Sequence, residues 1–227
     1  TGIDRSGNTP TATTGQTGEL LSVVDWIDES YNDIQQTHPN WRWMRHGFTF
    51  DTVAIADQGE ASYAFTDATD TTTSATIATF RRWLVDDLED PPRIYRTSDG
   101  VGTQNWMEYM PYNDFKALYR IGTQLSSYPI HCTIDPANNL LLGPSPDAAY
   151  TVVGDFQRGA QSFTADSDVP EMPVDFHNLI VYWAMVNYGF FESASEVLDR
   201  ANYSMSRMLF KLEADQLPAP DMGSPLA

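Results

Sequence analysis

The sequence predicts an α+β protein: a bundle of three long helices, one N-terminal and two C-terminal, with an inserted β-rich region and extended arms at both ends. Three observations predict it. Apolar residues recur at helical spacing over three stretches, about residues 18–38, 173–191 and 194–216. From about residue 45 to 160 the period changes to two, the mark of half-buried strands. Both ends are poor in large apolar residues and rich in Gly, Thr, Ser or Pro, so neither holds a packed element alone.

Taken in order, residues 1–17 form a flexible arm whose one large apolar residue is Ile3. The first helix puts Leu20, Val24, Ile27, Tyr31 and Ile34 on one face, with Asp25, Asp28, Glu29 and Asp33 elsewhere. Thr17 is its expected cap, Glu19 suits the positive N-terminal end, and Pro39 ends it. Strands are expected where Phe48, Phe50 and Thr52 alternate with polar residues, at Tyr63 and Phe65, and from Tyr150 to Arg158. Asp135 to Asn139 reads as a hairpin turn, the Thr-rich stretch after Asp67 as a hairpin tip or loop, and Pro111 onward as a short helix.

The second long helix follows Pro170 and Pro173 and is apolar enough on all sides to be largely buried. Ser193 to Glu196 matches a capping box for the third, which carries Leu198, Ala201, Met205, Met208 and Leu212 at helical spacing. The short break between them implies an antiparallel pair, completed by the first helix. One domain of residues 18–217 is expected, followed by the Pro-rich tail 218–227.

Composition excludes several functions. The net charge is −18, from 13 Lys and Arg against 31 Asp and Glu, so binding a duplex by neutralising its phosphates is disfavoured. The longest apolar run, Leu179 to Val186, is too short to span a bilayer, and no export signal opens the chain, so a soluble protein is expected. The single cysteine, Cys132, permits no intrachain disulfide and no multi-cysteine zinc site, and reads as a core thiol. His38, His46, His131 and His177 lack metal-ligand spacing, and no phosphate-cradling glycine loop occurs. The acidic groups Asp86 to Asp90 and Asp166 to Asp168 lack calcium-loop spacing and read as solvated faces. No cofactor, metal or catalytic constellation is expected. Trp41 and Trp43 are read as a corner packed over the core, with sugar stacking as the alternative. Arg81-Arg82-Trp83 is either a docking patch or a surface strand.

The order of elements resembles the head-to-tail adaptor, or head-completion, proteins that join the portal of a tailed bacteriophage to its tail. The resemblance rests on LLSVVDWIDESYNDIQQTHPNWRWMR, on YPIHCTIDPANNLLLGPSPDAAYTVVGDFQRGAQSF and on DSDVPEMPVDFHNLIVYWAMVNYGFFES, which together span most of residues 18–215. It implies a non-enzymatic virion protein of the neck, assembled in the host cytoplasm. That protein forms a ring of about twelve copies beneath the portal and contacts a tail or stopper/nozzle protein. DNA passes through the channel without specific binding. It also makes Ile3, Arg5, Leu217, Pro218, Pro220, Met222 and Leu226 candidate contacts with the portal or a neighbouring copy. An acidic channel repels DNA phosphates, and Asp25, Asp28, Glu29 and Asp33 are candidates to line it. The alternative from a different class is a carbohydrate-binding or hydrolytic tail accessory protein.

Overall fold

The computed structural model describes residues 10–87 and 90–217. Among these, four α-helices are formed, α1 (Glu19–Thr37), α2 (Tyr112–Tyr119), α3 (Asn178–Phe191) and α4 (Ser195–Gln216). The strands are β1 (Arg45–Asp51), β2 (Ala61–Tyr63), β3 (Thr69–Asp70), β4 (Ala75–Thr76), β5 (Arg82–Trp83), β6 (Arg93–Arg96), β7 (Asn105–Trp106), β8 (Glu108–Tyr109), β9 (His131–Ile134), β10 (Leu140–Gly143) and β11 (Tyr150–Gln157). The chain divides into a helical unit, Thr1–Trp43 with Ala160–Ala227, and a β-rich unit, Met44–Gly159.

In the helical unit, α1 buries Val23, Tyr31 and Ile34. Its cap is Gly18, at φ 62°, and makes no side-chain cap bond, so Thr17 does not serve. The helix ends two residues before Pro39, whose predecessor is biased away from helical backbone. α3 packs against both α1 and α4. The α3–α4 approach requires Gly189, because a Cβ there would lie 2.8 Å from Leu198. The turn closes with the Ala194 N–H donating to the Gly189 carbonyl at 2.9 Å. Ser193 is left-handed, at φ 54°, and Ala194 is the N-cap, so the expected capping box at 193–196 does not form.

In the β-rich unit, β1 and β11 pair antiparallel over their whole common length, from Arg45 opposite Gln157 to Asp51 opposite Thr151. Around this spine the larger sheet runs β4-β3-β1-β11-β6-β7, with β5 also on β11, and the smaller runs β2-β10-β9-β8. The β9–β10 hairpin turns at Asp135, whose carboxylate accepts the N–H groups of Ala137 and Asn139, each at 2.8 Å. One hydrophobic cluster, including Phe48, Trp83, Tyr150, Val152 and Phe156 of the larger sheet and Cys132, Leu140 and Leu142 of the smaller, forms the core.

The expected three-helix bundle with an inserted β region is therefore incorrect: there are four helices and two sheets, of seven and four strands. The β-rich segment closes its own core, with every residue of β10 buried. A segment whose two sheets enclose one hydrophobic cluster needs no bundle to complete it. Locally, Phe65 leaves the strand expected there and starts a 3-10 turn over Phe65–Asp67, with the Ala64 N–H donating to the Asp67 carboxylate at 2.9 Å.

Candidate interaction surface

The helical unit carries an uncovered apolar surface. α3, NLIVYWAMVNYGFF, has apolar side chains on every side, a pattern that normally belongs to a buried helix. Yet only Leu179, Ile180 and Gly189 are buried; Val181, Phe190 and Phe191 are exposed. The expectation of a largely buried second helix is thus corrected: Tyr182 to Tyr188 are half-buried, and the exposed apolar residues lie at the two ends of α3. On α4, Tyr203 and Phe210 lie off the buried stripe and are exposed as well. Sequence reading missed these residues, although the all-round apolar pattern of α3 was the signal that could have found them.

The rest of the unit is rigidly tied. Tyr31 stacks on Phe163 at 4.9 Å between ring centres and donates to Gln161 at 2.9 Å. The Asp28 carboxylate accepts the Phe163 N–H at 2.7 Å. His38 and Glu213 lie 2.8 Å apart and tie the end of α1 to α4. The Asp166 carboxylate accepts the backbone N–H and hydroxyl of Thr13, which hold it below the ordinary carboxylate range. Asp168 is lowered likewise by the N–H groups of Thr164 and Ala165. The latter acidic group is thus engaged in turn bonds.

Of the candidate channel acids, Asp25, Glu29 and Asp33 are exposed at a spacing of four, one stripe along α1. Asp28 is half-buried and engaged with Phe163. Among the candidate contacts, Leu217 is half-buried and caps α4, its N–H donating to the Glu213 carbonyl at 3.0 Å. Ile3, Arg5, Pro218, Pro220, Met222 and Leu226 lie outside the described residues.

Trp41 and Trp43 do not form an exposed sugar platform. Trp41 is fully buried, stacks on Trp43 at 4.5 Å and donates its indole N–H to the Ile34 carbonyl at 3.0 Å. Trp83 is buried too and donates to the Asn138 carbonyl at 2.9 Å, which removes it from any docking patch.

In the β-rich unit the titratable groups serve structure. Burial would lower the Arg45 guanidinium, but its hydrogen bond to Asp155 at 2.6 Å and the charges of Asp155, Asp87 and Asp90 hold it above its usual value. Burial pushes the Cys132 thiol up to about 12, the opposite of a nucleophile's activation. The Tyr119 hydroxyl and His131 Nδ1 are 2.6 Å apart, and His131 Nε2 is 3.6 Å from Glu108. Among the described residues no cluster of three or more His, Cys, Asp or Glu could hold a metal, and no helix is long and apolar enough to cross a membrane.

Among the described residues, the site groups in the β-rich unit are tied into ion pairs and hydrogen bonds, and the helical unit leaves Val181, Phe190, Phe191 and Phe210 exposed. The comparisons give the family. Residues 5–225 match the family model described as SU10 adaptor protein, and the chain belongs to that family, which is of the phage head-to-tail adaptor type. Such a family is structural, acts at the virion neck and contacts other head and tail proteins. No curated protein matches the chain.

Proposed function

We propose that the chain forms a closed ring of about twelve copies that seats beneath the portal, joins it to the tail or to a stopper/nozzle protein, and continues a DNA channel. The observation that carries the reading is the exposure of large apolar side chains on the helical unit, Val181, Phe190 and Phe191 at the ends of α3 and Tyr203 and Phe210 on α4. Exposed apolar patches of this kind mark contact sites, and identical copies meeting head to tail close into rings. Thr13 is held to Asp166 within the copy, so contact with a neighbour or the portal is proposed for Ile3 and Arg5 at one end and for Leu217 to Leu226 at the other.

At −18 per copy, about twelve copies put on the order of two hundred formal negative charges into one ring, which keeps DNA sliding rather than bound. A channel lining and a neighbour's basic surface are the two environments that suit the exposed stripe Asp25, Glu29 and Asp33. Of the alternative, a carbohydrate-binding or hydrolytic tail accessory, the sugar-stacking role of Trp41 loses its support, since Trp41 is buried.

The test is native mass and negative-stain imaging of the chain alone and after mixing with the portal ring of the same particle. A small species that gains ring order on the portal is expected. A chain that stays monomeric and ignores the portal refutes the adaptor assignment.

A further inference from the structure

Although 13 basic residues stand against 31 acids, three of the 13 lie on one helix and one side of it. Arg200, Arg207 and Lys211 follow each other at steps of seven and four along α4, with Tyr203 between them, and all four are exposed. None of the three cations has an ion pair among the described residues. Arg207 and Lys211 also line a shallow groove of about 150 Å³ with Tyr182 and Tyr203, shaped to admit a side chain. A basic-aromatic stripe is unexpected on so acidic a chain unless it meets an acidic surface.

Such a surface exists on the same chain. Asp25, Glu29 and Asp33 form an exposed stripe on α1, and none of them is paired either. The stripes are of comparable length: the eight steps from Asp25 to Asp33 on α1 span about 12 Å and the eleven from Arg200 to Lys211 on α4 about 16 Å, at 1.5 Å per residue. Both helices pack on α3.

Resting on the ring reading, we propose that the α4 stripe Arg200–Arg207–Lys211 docks on the α1 stripe Asp25–Glu29–Asp33 of the neighbouring copy. The contact is heterologous, each copy offering one basic and one acidic face, which is the kind of contact that closes into a ring. It assigns the α1 acids to the neighbour rather than to the channel. Charge complementarity of this sort fixes register and suppresses wrong pairings.

The experiment uses full-length chains and portal-dependent ring assembly, read as copies per portal by native mass. One variant carries Arg207→Glu with Lys211→Glu; the other carries Glu29→Arg with Asp33→Arg. All four positions are exposed, so melting temperatures should match the parent. Each variant alone places like charges across the contact and should assemble at least tenfold more weakly. Their equal mixture restores opposite charges at every junction and should recover ring assembly. Parent-like assembly by either variant alone overturns the stripe pairing while leaving the ring reading intact. Loss by both with no recovery in the mixture also overturns it, and assigns the stripes to the portal or the tail. Failure of the parent itself to assemble refutes the ring reading instead.

Discussion

Phe190 and Phe210 give the most direct measure of what α3 and α4 leave uncovered. Phe190 is 69% exposed and Phe210 72% exposed, so neither contributes much to the fold of a single copy. An aromatic side chain carries roughly 200 Å² of surface, so about 140 Å² of each ring remains to be covered. At about 25 cal/mol per Å², covering one ring fully is worth about 3.5 kcal/mol. Association gives back part of that as lost side-chain freedom, so about 1.5 to 3 kcal/mol per site is expected, a tenfold to 150-fold effect. The double variant Phe190→Ser, Phe210→Ser should therefore leave the free chain's urea midpoint nearly unchanged, as exposed substitutions do. Its assembly on the portal, titrated by native mass, should weaken by at least tenfold. A large drop in the urea midpoint would mean that the rings support the monomer. Unchanged assembly with an unchanged midpoint would refute the argument that this surface is covered by a partner.

Two further outcomes test the β-rich unit. Asp70 is 4% exposed; burial alone would raise it, but bonds from His46 at 2.7 Å and from the Thr72 and Thr73 N–H groups hold it below the usual carboxylate range. Its contribution is present above the unfolded-state value and fades as pH falls through the lower folded value, so Asp70→Ala should cost about 2 kcal/mol at pH 7 and progressively less below about pH 4. Urea melts across that range check it, and a cost that grows on acidification refutes the assignment. Cys132, fully buried with its thiol pushed up to about 12, should resist a thiol reagent at pH 8 until the unit opens, so that labelling followed by mass rises steeply with urea. Stoichiometric labelling within minutes in native buffer would contradict the burial.

Periodicity made the helices and strands legible. Leu20 to Ile34 repeats at helical spacing and α1 spans Glu19–Thr37; Phe48 and Phe50 alternate and lie in β1. Two kinds of feature stayed hidden. Termini depend on backbone geometry that composition does not encode, so Thr17 and Ser193 looked like caps while Gly18 and Ala194 hold those positions. Autonomy depends on long-range closure: nothing local to Leu140–Gly143 says that its partners are Ala61–Tyr63 and His131–Ile134, and therefore that the β segment completes its own core. At the surface, Asp25, Glu29 and Asp33 could be read as one exposed stripe, but the engagement of Asp28 with Phe163 joins positions 135 residues apart.

The apparent error about α3 carries the functional content. Its all-round apolar sequence is consistent with a buried helix, and a single copy does not bury it. On the ring proposal, a sequence shaped by its environment in the assembled particle agrees with that environment and conflicts with the isolated chain, and the exposed ends of α3 mark where a neighbour would sit. The charge supplies the complementary control. At physiological ionic strength screening sets in within about 8 Å, so copies carrying −18 repel mainly when they are already close, and in any orientation that opposes acid to acid. In the proposed contact, bringing the α4 cations against the α1 acids would relieve that repulsion in one orientation. On that proposal the chain stays dispersed until a template presents copies in register.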